Sequence, residues 1–100
     1  MPDDLAPLID KLRALKPELA ASFGVEALAV FGSRTRGQAR PESDLDVLVT
    51  FAPDARPTLF SLARLDARLS EALGVRVETV EEASLNPRYA PYIRPELVAV

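Results

Sequence analysis

The sequence predicts an α+β fold: a small mixed or antiparallel sheet of three to four strands, with helices packed on one face. Three observations lead to this prediction. The chain has 100 residues, which is enough for one compact core. Its 48% hydrophobic and 27% charged residues are typical of a globular domain. Leucine-rich segments with helical spacing also alternate with short runs that have the patterns of strands.

The first element is predicted to be an amphipathic helix. Its apolar residues recur three or four apart, at Leu5, Leu8, Ile9, Leu12 and Leu15. Asp3 or Asp4 is expected to cap the start of this helix. Pro17 is expected to end or kink it, and a further short turn of helix is expected to close at Gly24.

Two strands are predicted next, joined by a polar loop. The apolar run from Ala27 to Phe31 stops at Gly32, which is typical of a buried strand. Residues 33–43 are polar and basic and predict a loop. Residues 44–51 alternate, so one face is expected to lie in the core and the other to carry Asp44 and Asp46.

The second half of the chain predicts a helix, a strand and an irregular tail. The helix begins near Thr58, ends at Gly74 and is expected to bury a stripe of leucines: Leu59, Leu62, Leu65, Leu69 and Leu73. Residues 75–80 predict a strand that turns Glu78 away from the core. Three prolines in the tail argue against a long helix there, and residues 97–100 predict an edge strand. Tyr89 and Tyr92 are expected to pack against the sheet, and the alternative is that they stack on a base or fill a groove of a partner.

The composition excludes several kinds of chemistry. The chain has no cysteine and no histidine, so thiol nucleophiles, zinc-thiolate sites and Ser-His-Asp catalysis are absent. A metal ion would have to be held by oxygen ligands, as magnesium is. The formal net charge is -3, so direct binding of nucleic acid is not expected. The N-terminus resembles neither a signal peptide nor a membrane span, and a cytoplasmic protein is expected.

The most informative residues are Gly32 and Ser33, followed after ten residues by Asp44 and Asp46. Aspartates two apart on a strand point to one face, where they can hold magnesium ions that bridge to nucleotide phosphates. Gly32 and Ser33 follow a strand and can offer N–H and hydroxyl groups to a triphosphate. Nearby arginines, Arg34, Arg36 and Arg40, can add contacts to phosphate. Taken singly, these features also fit an ordinary turn and a solvated strand surface.

These residues resemble the signature of the minimal nucleotidyltransferases of the DNA polymerase beta superfamily. The similar segments are Phe31-Gly32-Ser33-Arg34-Thr35-Arg36-Gly37 and Ser43-Asp44-Leu45-Asp46-Val47-Leu48-Val49. The resemblance implies that residues 1–100 form a single nucleotidyltransferase domain. It also implies that Asp44 and Asp46 bind two magnesium ions, and that Gly32 and Ser33, with Arg34 and Arg36, hold the triphosphate of ATP.

The family also has a third carboxylate on a neighbouring strand, which completes the metal site and can act as a base. That residue is usually an aspartate, and the matching position here is Glu78. By strand alternation Glu78 lies on the same side of the sheet as Asp44 and Asp46. Glu78 is therefore either the third metal ligand and catalytic base or a surface glutamate paired with an arginine.

The resemblance extends to antitoxins of HEPN/MNT toxin–antitoxin modules. It implies transfer of an adenylyl group from ATP to a tyrosine of a partner HEPN-domain toxin, a helical ribonuclease. A chain of 100 residues leaves no room for a second domain to hold the acceptor, so we expect another macromolecule to present it. The alternatives are an antitoxin that neutralises its partner by contact alone, with catalysis weakened at Glu78, and a nucleotide-binding regulatory domain.

Overall fold

The computed structural model describes residues 4–37 and 44–100. The helices and strands are α1 (Leu5–Phe23), β1 (Val25–Phe31), β2 (Leu45–Phe51), α2 (Leu59–Leu73), β3 (Val77–Glu81), α3 (Ala90–Ile93) and β4 (Val98–Ala99). Short 3₁₀ turns at Glu82–Ser84 and Arg94–Glu96 flank α3. This α+β architecture and the predicted order of elements are confirmed. Among the described residues, none of the helices has the length and apolar character of a membrane span.

The strands form one mixed, four-stranded sheet in the order β3-β2-β1-β4. The central pair, β1 and β2, is antiparallel, and β3 runs parallel to β2. The predicted edge strand is present as β4, which pairs antiparallel with β1. The main core lies between the sheet and the two long helices, and its fully buried members include Leu5, Leu12, Leu19, Val30, Leu45, Val47, Val49, Leu65 and Leu69.

The first helix differs from the prediction in where it ends and in how Asp4 is bonded. α1 does not end at Pro17 but continues to Phe23, because Leu19 is fully buried and extends the apolar face beyond the exposed proline. Asp4 occupies the N-cap position, yet its side chain makes no capping hydrogen bond and instead accepts one from Arg34. Asp3 lies outside the described residues. The predicted end is confirmed, with Gly24 in the left-handed conformation.

The second helix also differs from the prediction at its N-terminal end. Leu65, Leu69 and Leu73 are buried, but Leu59 is 85% exposed and Leu62 is only partly buried. Leu59 lies in the first turn of α2, beyond the part of the helix that covers the sheet. Tyr89 and Tyr92 are exposed as well, so the predicted packing of both tyrosines against the sheet is wrong.

The packing between α2 and β3 fixes the strand that carries Glu78. The Ser70 hydroxyl accepts the Val77 N–H at 2.9 Å. The Asp66 carboxylate accepts from the Thr79 N–H at 3.0 Å and from the Thr79 hydroxyl. Because these bonds hold the residues on both sides of Glu78, the backbone at that position has little freedom to shift along the sheet.

Candidate active site

The site is centred on Asp46, at the start of the central strand β2. Across the antiparallel pair Asp46 lies opposite Phe31, the last residue of β1. Across the parallel pair it lies opposite Glu78. Residues paired in this way project to the same face of a sheet, and neighbouring strands are about 4.8 Å apart. The structure therefore brings Asp46 and Glu78 together on the face away from the main core.

Asp44 lies immediately before β2 and joins the same acidic group. Its carboxylate is 3.9 Å from Nε of Arg76, the residue before β3. Both Asp44 and Asp46 are partly buried, whereas Glu78 is exposed. Among the described residues, no ion pair involves Glu78, which removes support for its interpretation as a surface glutamate paired with an arginine.

Burial and neighbouring charge change the titration of Asp46. Burial is the main cause that raises the pKa of Asp46 above its usual range, and the negative charges of Glu78 and Asp44 raise it further. Arg36 opposes this shift, while Glu96 adds to it. Asp46 is thus held where its own negative charge is disfavoured, which is a property common among functional carboxylates.

Gly32 packs directly against the Asp46 carboxylate. Its φ of +91° is one that side chains rarely allow, and a Cβ built at this position would lie 2.2 Å from Asp46 Oδ2. A glycine is needed here for its conformation and for its lack of a side chain. The loop that starts at Gly32 is therefore in contact with the acidic group.

The loop is closed by its own hydrogen bonds. The Gly32 carbonyl accepts from the Thr35 N–H at 3.0 Å and from the Thr35 hydroxyl at 2.6 Å. The Ser33 carbonyl accepts from the Arg36 N–H at 3.2 Å. In the described part of the chain, no hydrogen bond uses the Ser33 N–H or hydroxyl, so both donors are available to a ligand.

The two arginines of the loop are in different surroundings. Arg34 is 5% exposed, and its Nη1 lies 3.3 Å from an Asp4 carboxylate oxygen. Arg36 is more exposed and forms an ion pair with Glu96 at 2.9 Å. Arg34 is thus directed at least partly towards the start of α1, while Arg36 stays near the surface beside the loop. Arg40 lies outside the described residues, as does Ser43 of the predicted motif.

Glu96 is a site residue that the sequence analysis missed. One of its carboxylate oxygens accepts the Gly32 N–H at 3.1 Å, and both accept from Arg36, at 2.9 and 3.1 Å. The only available signal was the apolar end of the chain, which predicts an edge strand. Without knowing that this strand pairs with β1, nothing in the sequence places Glu96 beside Gly32.

A comparison with known protein families decides the family of this chain. Residues 12–99 match the model of the nucleotidyltransferase domain. The chain belongs to the nucleotidyltransferase domain family. This nucleotidyltransferase is 40% identical over 89 residues to the protein adenylyltransferase MntA of Thermococcus cleftensis, an alignment that covers 89% of this chain and 88% of that protein.

Solved structures agree with this assignment. A minimal nucleotidyltransferase structure is 37% identical, has a TM-score of 0.74, and the match covers 99% of this chain and 97% of that one. An MNT antitoxin in complex with a tri-AMPylated HEPN toxin, from Shewanella oneidensis, has a TM-score of 0.60 at 19% identity, with 96% and 67% of the two chains covered. At that identity the second likeness shows a shared fold.

The acidic group of this nucleotidyltransferase consists of carboxylates, which are the ligand type that a magnesium ion prefers. Within residues 4–37 and 44–100, no three side chains of a metal-binding type are already arranged as a cation site. Burial is the main cause of the raised pKa of Asp46, and the negative charges of Glu78 and Asp44 add to it, so the carboxylates repel one another. A divalent cation bound between them would relieve that repulsion.

Proposed function

We propose that this nucleotidyltransferase transfers an adenylyl group from ATP to the hydroxyl of a tyrosine side chain on a HEPN-type toxin. In this way it would act as the antitoxin of that partner. The observation that carries the proposal is the strand register. It sets Glu78 beside Asp46 and ends β1 so that Gly32 touches the Asp46 carboxylate. Acidic side chains and a loop with open donors are thereby placed together, as transfer from a nucleoside triphosphate requires.

The reaction is a substitution at phosphorus. The acceptor oxygen bonds to the α-phosphorus of ATP, and the bond from that phosphorus to the bridging oxygen breaks. Pyrophosphate leaves with the electron pair, and a base takes the hydroxyl proton. We assign this role to Glu78, because it is the exposed carboxylate of the group and is open to an acceptor brought by another protein.

The other residues bind and orient the nucleotide. Asp44, Asp46 and Glu78 would hold magnesium, which neutralises phosphate charge and orients the phosphates when it is bound. The Ser33 hydroxyl and N–H would donate to the phosphates, Gly32 leaves room for their close approach, and Arg36 and Arg34 would add positive charge. ATP is a cytoplasmic metabolite, so we place the reaction in the cytoplasm.

The choice of partner and acceptor is supported by the relatives. A 40% identical relative is a protein adenylyltransferase, so the acceptor is expected on a protein. The same fold occurs in a complex of an MNT antitoxin with a tri-AMPylated HEPN toxin. The alternative, an antitoxin that acts by contact alone, is favoured by the glutamate that stands at the usual position of an aspartate.

Labelled nucleotide transfer to the co-purified HEPN-type partner tests the proposal. Because Glu78→Gln keeps the size of the side chain but cannot take a proton, transfer is expected to fall about a hundredfold or more. Partner binding in a pull-down is expected to persist. Glu78→Asp, which restores the usual residue type, is expected to stay active. Glu82→Gln, on the 3₁₀ turn after β3, is the matched control.

Two outcomes would contradict parts of this proposal. If the wild-type protein silences its partner but transfers no nucleotide, the contact-only alternative is correct. If Glu78→Gln transfers at the wild-type rate, Glu78 is not the base and the reaction depends on Asp44 and Asp46 without it. Mass spectrometry of the labelled partner identifies the acceptor residue independently.

A further inference from the structure

Glu96 contacts two residues of the glycine loop, the segment that starts at Gly32 and includes Arg36. Its side chain is 22% exposed, and its carboxylate bonds the Gly32 N–H and the Arg36 guanidinium at once. Hydrogen bonds to an ionised carboxylate are stronger than those between neutral groups. Glu96 thus joins the first residue of the loop to the guanidinium four residues later.

The topology places Glu96 on the opposite side of the loop from the other carboxylates. β4 pairs with β1 through Ala29 and Ala99 and through Val30 and Val98. Continuing this register two residues beyond Val30 places Gly32 opposite Glu96. Since β2 and β3 lie on the other side of β1, Glu96 does not stand between Gly32 and Asp46.

We propose that Glu96 is a positioning residue for nucleotide binding: it fixes the Gly32 peptide and Arg36 from the β4 side, so that Ser33 and Arg36 are preorganised for the phosphates. This inference rests on the proposed function. The Ser33 N–H and hydroxyl are not used by any described residue. With Gly32 held at φ +91°, little rotation remains at the point where the loop leaves the sheet. Preorganised donors bind more tightly than donors that must be ordered on binding.

A carboxylate near a phosphate site also has an opposite possible effect. If Glu96 occupied the place of a phosphate, it would compete with ATP, and removing its charge would tighten binding. Its location on the β4 side argues against competition, because β1 lies between β4 and β2, the strand that carries Asp46. Positioning and competition therefore predict changes of opposite sign for the same variant.

Calorimetric titration with ATP and magnesium chloride distinguishes the two effects. Glu96→Gln keeps the shape and one acceptor but loses the ion pair with Arg36, and we expect MgATP to bind about tenfold more weakly. Glu96→Ala should bind more weakly still. Glu96→Asp keeps the charge, so we expect it to bind MgATP more tightly than Glu96→Gln but more weakly than the wild type. If Glu96→Gln does not fold, the weaker binding of Glu96→Asp still tests the proposal.

The control is Glu82→Gln. Glu82 pairs with Arg94 at 3.1 Å, so its loss removes one ion pair from the same C-terminal region without touching the loop. This variant should bind MgATP as the wild type does. Melting temperatures without nucleotide are measured beside the titrations, and we expect Glu96→Gln to lose affinity while its melting temperature stays close to that of Glu82→Gln.

The coupling between Glu96 and Arg36 provides a second readout. If Glu96 acts partly through Arg36, Glu96→Gln combined with Arg36→Met should lose less affinity than the product of the two single losses. Wild-type affinity in Glu96→Gln, or tighter binding, would overturn the positioning role and leave the proposed function intact. Failure of the wild-type protein to bind MgATP would instead overturn the proposed function, and this inference with it.

Discussion

The negative charge of Asp46 lowers the free energy of unfolding. Burial and the nearby charges of Glu78 and Asp44 raise the pKa of Asp46 above 3.8, its ordinary value. A carboxyl with a higher pKa in the folded than in the unfolded state binds protons more tightly when folded. Its contribution to the free energy of unfolding therefore falls as the pH rises from about 3.8 through the folded pKa, and is constant above it.

Asp46→Asn is expected to stabilise the metal-free protein. The amide has nearly the same shape but no charge to bury, so the melting temperature at neutral pH should rise by an amount on the order of a few °C. The gain should vanish at low pH, where Asp46 is protonated in both states. Melting curves between pH 3 and pH 8 test this, with Asp54→Asn in the exposed turn after β2 as control. A lower melting temperature at neutral pH would contradict it.

Gly32 offers a direct test of the contact between loop and acidic group. Gly32 and Gly74 have φ values of +91° and +72°, so an alanine at either position strains the backbone, at a cost of about 1 kcal/mol. Only at Gly32 does the new Cβ meet Asp46; at Gly74 it meets nothing within 4 Å. Gly32→Ala should therefore be the less stable variant and should bind MgATP poorly, while Gly74→Ala binds it normally. Equal binding by both would show that the loop has a structural role alone.

At the scale of the elements, the patterns identified the helices and strands better than their extents. The leucine spacing of α2 indicates which face is apolar, but it carries no information on where the sheet beneath ends. Leu59 is consequently exposed although it continues the stripe, while Leu65 and Leu69 are fully buried. Likewise, α1 does not end at Pro17, because the burial of Leu19 outweighs the loss of one backbone hydrogen bond.

The proline in α1 predicts a stabilising substitution. Pro17 is exposed in the helix interior, where it removes a hydrogen bond to the carbonyl of Arg13, so Pro17→Ala should raise the free energy of unfolding by about 1–3 kcal/mol. Pro7 lies in the first turn, where no N–H partner exists within the helix, and Pro7→Ala should have little effect. Urea denaturation of both variants measures the difference. Destabilisation by Pro17→Ala would mean that the proline supports a bend that the packing of α1 needs.

At the scale of the whole molecule, the site depends on how distant segments meet. Strand alternation predicts that Asp44, Asp46 and Glu78 share a face, and the structure confirms this for the paired Asp46 and Glu78. The sequence does not determine that β3 lies next to β2 in this register. Strand order and register depend on packing across the sheet, and for the same reason Glu96 was not predicted beside Gly32.

Because the site joins three strands and the glycine loop, a ligand bound there should stabilise the whole fold. A ligand that binds only the folded state adds about 2.7 kcal/mol at a concentration 100 times its Kd. MgATP at such a concentration should raise the melting temperature by roughly 10 °C or more in a domain of this size. ATP with a chelator should have a much smaller effect, because the phosphates then meet Asp44, Asp46 and Glu78 without a cation between them. Asp46→Asn should start from a higher melting temperature and lose most of the MgATP shift, since the charge that destabilises the free protein is the one that the cation needs. If ATP with chelator stabilises the wild-type protein as much as MgATP does, the acidic group is not a magnesium site.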